Sequence, residues 1–250
     1  MPAESGGRTT CQKDLAGIGF DGARASEDLD DWCRCGPRRE TAELIEVIRA
    51  EGVAGASLLD IGAGVGAVHV ALLEAGAARA LDVDASEDYQ SVARAEAERR
   101  GLTDRIEYRY GDVVDLADAL PAADIVTADA VICCYPDLGP FLAAAVRSAP
   151  RLVGLTYIHD AWWLRAWMRL WNAIWALRRR PDRWHIHRHA RVDRLMAEAG
   201  YEVMHDGGSW NWRVVVYRPH GLLLAGAGGT GQAGRDRGED QAERRGQGAR

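Results

Sequence analysis

The stretch LLDIGAGVGAVHVALLEAGA, residues 58–77, constrains the chain more than any other. An apolar strand-like run ends in an acid, Asp60. Three alternate glycines follow, Gly62, Gly64 and Gly66, and an apolar helix pattern starts at once. Glycine tolerates the left-handed backbone that such a turn needs and lets a ligand approach the main chain. The following helix N-terminus carries a favourable field for a negative group. A strand–loop–helix unit of this kind belongs in a sheet whose strands end at a nucleotide-like ligand.

The rest of the chain repeats the alternation. Strand patterns at 57–62, 78–84, 105–112, 123–129 and 151–158 are separated by helix patterns at 66–76, 87–100 and 138–148, after an opening helix that starts at Pro37. A helical stretch at 161–180 and a helix at 190–199 lead to two strand patterns, 201–206 and 212–217, joined by a Gly-Gly-Ser turn. Strands alternating with helices predict a parallel sheet covered on both faces. The tight last connection predicts an antiparallel hairpin. The expected fold is therefore α/β: a three-layer, Rossmann-like sheet of seven strands with an antiparallel C-terminal hairpin. Three segments are expected: a loose or capping N-terminus (1–36), one domain (37–219) with a helical insert (161–190), and a disordered tail (220–250). The tail is rich in Gly, Arg, Glu and Gln and holds no large apolar residue after Leu224, too little to offset ordering entropy.

The glycine loop admits two ligands. With Ala67 as its third small residue it fits the dinucleotide fingerprint. It also fits S-adenosylmethionine (SAM), which has no diphosphate for the nearby Asp60 to repel. Acids at successive strand ends favour SAM. Asp84 is placed to accept from both ribose hydroxyls, and Asp112 to meet the adenine amino group. A bland alternative makes each of them a helix cap.

On these residues the chain resembles the class I SAM-dependent methyltransferases over roughly residues 37–218. The resemblance implies that Asp60, Gly62, Gly64 and Gly66 form the cofactor loop, that Asp84 with Ala85 holds the ribose, and that Asp112 with Val113 holds the adenine. Asp129 completes the expected set. Within the class, AVICCYPDLGPFLAAAV (130–146) and LTYIHD are distantly similar to the magnesium-protoporphyrin O-methyltransferases. That group has a histidine before its Tyr-Pro pair, where this chain has Cys134, so a porphyrin acceptor does not follow.

Methyl transfer asks the protein chiefly to position two reactants and exclude water. A base is needed only when the acceptor must lose a proton. His159 is the first candidate because imidazole titrates near neutrality, with Tyr135 and Asp129 beside it and Asp160 adjacent. Tyr157, Trp163 and Trp167 are expected to line an acceptor pocket, the tryptophans from the 161–180 helix. The acceptor is expected to be an apolar or aromatic small molecule. A SAM-binding sensor or scaffold, and a nucleotide-dependent oxidoreductase, are the alternatives.

Composition excludes other classes. A formal net charge of −6 argues against a nucleic-acid partner. Five cysteines, an odd number, do not suggest a disulfide framework, and Cys133 and Cys134 read as small buried apolar groups. The HIHRH run (185–189) has no neighbouring carboxylate or cysteine in sequence to complete a cluster, so no metal is expected. No membrane span or secretory leader is visible, and a cytoplasmic protein, with a homodimer as one possible assembly, is the default.

Overall fold

The computed structural model describes residues 21–148, 151–178 and 184–221. The expectations for residues 1–18 and for nearly all of the tail lie outside them. Two helices come first, α1 (Gly22–Cys35) and α2 (Arg39–Ala50). Then follow β1 (Ser57–Ile61), α3 (Ala67–Glu74), β2 (Arg79–Asp84), α4 (Glu87–Arg99), β3 (Ile106–Tyr110) and the single turn α5 (Val113–Leu116). The second half runs β4 (Ile125–Asp129), α6 (Leu138–Ser148), β5 (Leu152–Ile158), α7 (Trp162–Leu177), α8 (His189–Glu198), β6 (Tyr201–Gly208) and β7 (Trp212–Pro219).

The seven strands form one sheet in the order β3-β2-β1-β4-β5-β7-β6. β1 to β5 pair in parallel, and β7 is antiparallel to both β5 and β6. The order reverses between β1 and β4, the switch point at which open α/β sheets bind ligands.

Each sheet face carries its own core. On one, Leu59, Ile61, Val126, Leu155 and Tyr217 pack against α6, α7 and α8. On the other, Leu58, Ile125, Val214 and Val216 pack against α2, α3 and α4. Neighbouring residues on these strands serve opposite faces, the period-2 pattern of a sheet covered twice. Burying each such aliphatic chain contributes about 1.5–3 kcal/mol.

Element ends differ from the sequence pattern for local reasons. β3 is shorter than 105–112 because Thr103–Arg105 is a helical turn and Asp112 already caps α5, accepting from the Val114 N–H at 2.9 Å. The hairpin strands run longer than expected. Order extends past Pro219, since the His220 N–H donates to the Gly200 carbonyl at 2.8 Å. At the start, Asp21 caps α1 by accepting from the Arg24 N–H at 3.0 Å. α1 lies on α4, where the Tyr89 hydroxyl donates to Asp28 and the Arg100 guanidinium sits 4.7 Å above the Trp32 ring.

Candidate active site

The carboxyl ends of β1, β2 and β4 meet at the glycine loop. Gly62, Gly64 and Gly66 have φ of 62°, 58° and 85°. Space is short at two of them. A Cβ on Gly62 would lie 2.4 Å from a methyl of Val131, and one on Gly66 would lie 2.7 Å from His69 Nε2. The loop is thus pressed between the exit of β4 and the first turn of α3. At Gly64 the nearest atoms, on the Tyr89 ring, are 3.8 Å away, so a ligand can approach the main chain there.

Asp84 ties the loop to β2. Its carboxylate accepts from the Gly64 N–H at 3.0 Å and the Ser86 N–H at 2.8 Å. Burial pushes its pKa up to about 6, against the opposing effect of those two N–H groups. Ala85 follows it, half-buried.

Asp60 holds its carboxylate inside the fold. It is buried; one oxygen accepts from the Thr127 hydroxyl at 2.7 Å and the other lies 3.0 Å from His69 Nδ1. Asp60 thus braces the loop from beneath, through His69 and thence Gly66. Asp82 faces the same way and is in register with Asp60. Burial raises Asp82 to about 7, although Gln90 Nε2 donates to it at 3.2 Å. Burial alone would lower His69, but its hydrogen bond to Asp60 and the charges of Asp60 and Asp82 outweigh that and raise it. Neither His69 nor Asp82 stood out in the sequence. The signal was present: His69 is the one polar side chain in the first seven residues of α3, and Asp82 interrupts an apolar strand two residues before Asp84.

Asp112 is also buried, and besides capping α5 it accepts from the Tyr135 hydroxyl at 2.9 Å. Val113, the first residue of α5, is buried beside it. Tyr135, expected near the chemistry, therefore spends its proton on the end of β3. Asp129 is locked as well. It accepts from the Thr41 hydroxyl at 2.6 Å and from the Thr156 hydroxyl, and the Arg38 guanidinium lies 3.3 Å from both its oxygens. The next residue, Ala130, holds φ 61° and donates its N–H to Thr156 Oγ1 at 2.9 Å. A non-glycine residue in the left-handed region costs on the order of 1–3 kcal/mol, so this turn is held by its surroundings. Thr41 and Arg38 reach it from α2 and the residue before it, a contact that no local pattern reveals.

At the exit of β5 the side chains are more open. His159 is 41% exposed, and its ring meets His189 edge-on at 4.4 Å. Asp160 Oδ1 lies 3.9 Å from His159 Nδ1 and 3.7 Å from His189 Nε2. The expectation that no carboxylate joins the HIHRH run is corrected here, since folding brings Asp160 to His189. The Asp160 N–H donates to His189 Nε2 at 3.2 Å, which occupies that lone pair. The rest of the run is structural. His187 Nε2 donates to the carbonyls of Ile132 and Tyr135, at 3.0 and 2.9 Å, and the His185 N–H donates to Cys133 O at 2.8 Å, so the run braces the turn after β4. Cys133 and Cys134 are buried in that turn.

Among the described residues, those expected to form the acceptor wall do not share one surface. Tyr157 is 1% exposed and sits in the core, its hydroxyl accepting from Arg213 Nη1 at 2.6 Å. α7 enters that core through Leu164 and Met168, while Trp163 and Trp167 face outward and stack on Trp210 and Trp171. The wheel position of a tryptophan does not say which stripe of a helix apolar nearly all round will be covered.

A family model described as a methyltransferase domain matches residues 59–150, from β1 through the helix after β4. Residues 59–150 thus match a methyltransferase domain, within a sheet that has the methyltransferase fold. That match places the glycine loop with the methyltransferases rather than the dinucleotide oxidoreductases. The domain is similar to the ribosomal protein L11 methyltransferase of Syntrophomonas wolfei, 31% identical over 111 residues, which cover 43% of this chain and 35% of that protein. With the same enzyme of Serratia proteamaculans it shares 30% over 117 residues, 47% of this chain and 39% of the relative. The chain thus matches well under half the length of these relatives. Among solved structures, the fold is similar to a magnesium protoporphyrin IX methyltransferase from Synechocystis with bound SAH (TM-score 0.64, 16% identity, 83% of this chain and 99% of that one). It is also similar to a ribosomal protein L11 methylase from Lactobacillus delbrueckii (TM-score 0.53, 18% identity, 74% and 81%).

Proposed function

We propose that this chain is a SAM-dependent methyltransferase whose acceptor is an apolar or aromatic small molecule. The observation that carries the reading is the Asp84 carboxylate fixed against the main chain of the glycine loop at the sheet's switch point. In this reading the Gly62–Gly66 loop holds the amino-acid end of SAM, Asp84 and Ala85 hold the ribose, and Asp112 and Val113 hold the adenine. When bound, SAM supplies a methyl group activated on a sulfonium. The protein's part is placement. Asp60 and His69 set the loop from below, and Asp129, pinned by Thr41 and Thr156, fixes the exit of β4. His159 is the proposed base, since Tyr135 and Asp129 are committed to other partners and His159 is half-exposed at the strand end. Asp160 beside it would stabilise the imidazolium that forms when the acceptor gives up its proton.

A protein acceptor is the second reading, favoured by the names of the relatives. Incubation with methyl-labelled SAM, a panel of aromatic acids and phenols, and ribosomal protein separates the two. Label in the small-molecule fraction supports the first reading and label only in protein the second. SAM binding without label in either fraction supports a sensor or scaffold.

A further inference from the structure

We propose that α7 and the β6–β7 turn form a surface that docks on an anionic lipid bilayer without crossing it. α7 carries one broad apolar surface and only part of it is covered. Leu164 and Met168 meet the core. On a wheel of about 100° per residue, Leu177, Leu170, Trp163, Ile174, Trp167 and Trp171 span an arc of about 120° that begins beside Leu164 and is interrupted only by Arg178. Leu170 is 61% exposed and Leu177 87%. The patch continues off the helix, because Trp163 stacks at 5.5 Å on Trp210, which stands in the hairpin turn and is 71% exposed.

Charge selects the occupant. No Asp or Glu occurs from Ala161 to Pro181. Arg165, Arg169 and Arg178 have no carboxylate partner among the described residues. On the wheel Arg178 stands within the apolar arc, between Trp167 and Trp171, and Arg169 stands beside the exposed Trp162, about 80° beyond the Leu177 edge. A second copy seated on this face by a two-fold axis would set α7 against α7 and bring unpaired arginines together. A small acceptor cannot cover a helix of about 24 Å. Arginines set in and beside a tryptophan-rich surface suit the boundary between acyl chains and phosphates, where a helix lies in the plane of the membrane. Among the described residues no helix is long and apolar enough to cross a membrane, so the contact is peripheral. It would hold the β5 exit, from which α7 starts, close to a compartment where apolar acceptors concentrate.

Flotation of the full chain with vesicles tests this. Binding to phosphatidylcholine vesicles containing phosphatidylglycerol is expected to exceed binding to pure phosphatidylcholine by about tenfold, to fall with added salt, and to quench tryptophan fluorescence when the acyl chains are brominated. Leu170→Glu with Leu177→Glu is expected to weaken binding about tenfold at an unchanged melting temperature and SAM affinity. Arg165→Gln with Arg169→Gln should erase the preference for anionic lipid. Wild type left unbound by both vesicle types overturns the proposal. So does a dimer on light scattering that Leu170→Glu converts to a monomer, which would make the covering partner a second copy.

Discussion

At the β1–β2 end of the carboxyl edge, Asp60, Asp82, Asp84 and His69 are withdrawn from water and tied to one another, to Thr127 and Gln90, and to main-chain N–H groups of the glycine loop. At the β5 end, His159, Asp160 and His189 stand partly in solvent, and α7 leaves the sheet with four of its five tryptophans exposed. The first region is stiff and its charges are costly to hold. The second is open and its groups are loosely partnered. A cofactor that never changes suits a preset cradle, whereas acceptor specificity can be built on the softer side without disturbing it.

Substitutions that hit one region and spare the other would break or sharpen this contrast. His159→Ala is expected to lower turnover by about 100–10,000-fold, the usual worth of a general base, and to leave SAM affinity level; equal losses in both would place His159 in the cofactor half. Next come the glycines. Gly62→Ala adds a Cβ at positive φ and 2.4 Å from Val131, whereas Gly64→Ala meets only the Tyr89 ring at 3.8 Å. Strain and overpacking together make the first cost about 2–6 kcal/mol and strain alone makes the second about 1–3 kcal/mol, read from denaturant unfolding. The order reverses if the loop can shift away from β4.

The smallest effect is on pH dependence. Asp82 ionises only near pH 7, far above its ordinary 3.8. A raised carboxyl pKa means that the folded state holds the proton more tightly, so stability present at low pH is lost as pH rises toward 7. His69, also raised, loses its contribution in the same direction as pH climbs past the ordinary imidazole value of 6.5. Wild type is therefore expected to melt lower at pH 8 than at pH 5. Asp82→Asn should flatten that slope and stabilise the protein at pH 8 by about 1–3 kcal/mol. A slope unchanged by the substitution would move the titration elsewhere.

The contrast also explains what the sequence made visible. The glycine loop and the acids at 60, 84 and 112 lie within local strand–turn–helix units, so spacing alone finds them. The partners of those acids come from other elements: Thr127 for Asp60, Tyr135 for Asp112, Thr41 and Arg38 for Asp129. Such pairs, 23 to 91 residues apart, depend on strand order and leave no local trace. Tyr157 and the α7 tryptophans show the limit most clearly. Their residue types suit a pocket, yet burial put Tyr157 in the core and the tryptophans on the surface, because Leu164 and Met168 took the inner stripe.

Calorimetric titration of SAM into wild type and Asp84→Ala tests most directly whether the glycine loop and Asp84 form a SAM cradle. Micromolar binding by wild type, weakened by about 1.5–3 kcal/mol in the variant as a charged acceptor is lost, is the predicted result. Equal affinity in a variant that retains its circular dichroism spectrum, or no binding by folded wild type, would contradict it.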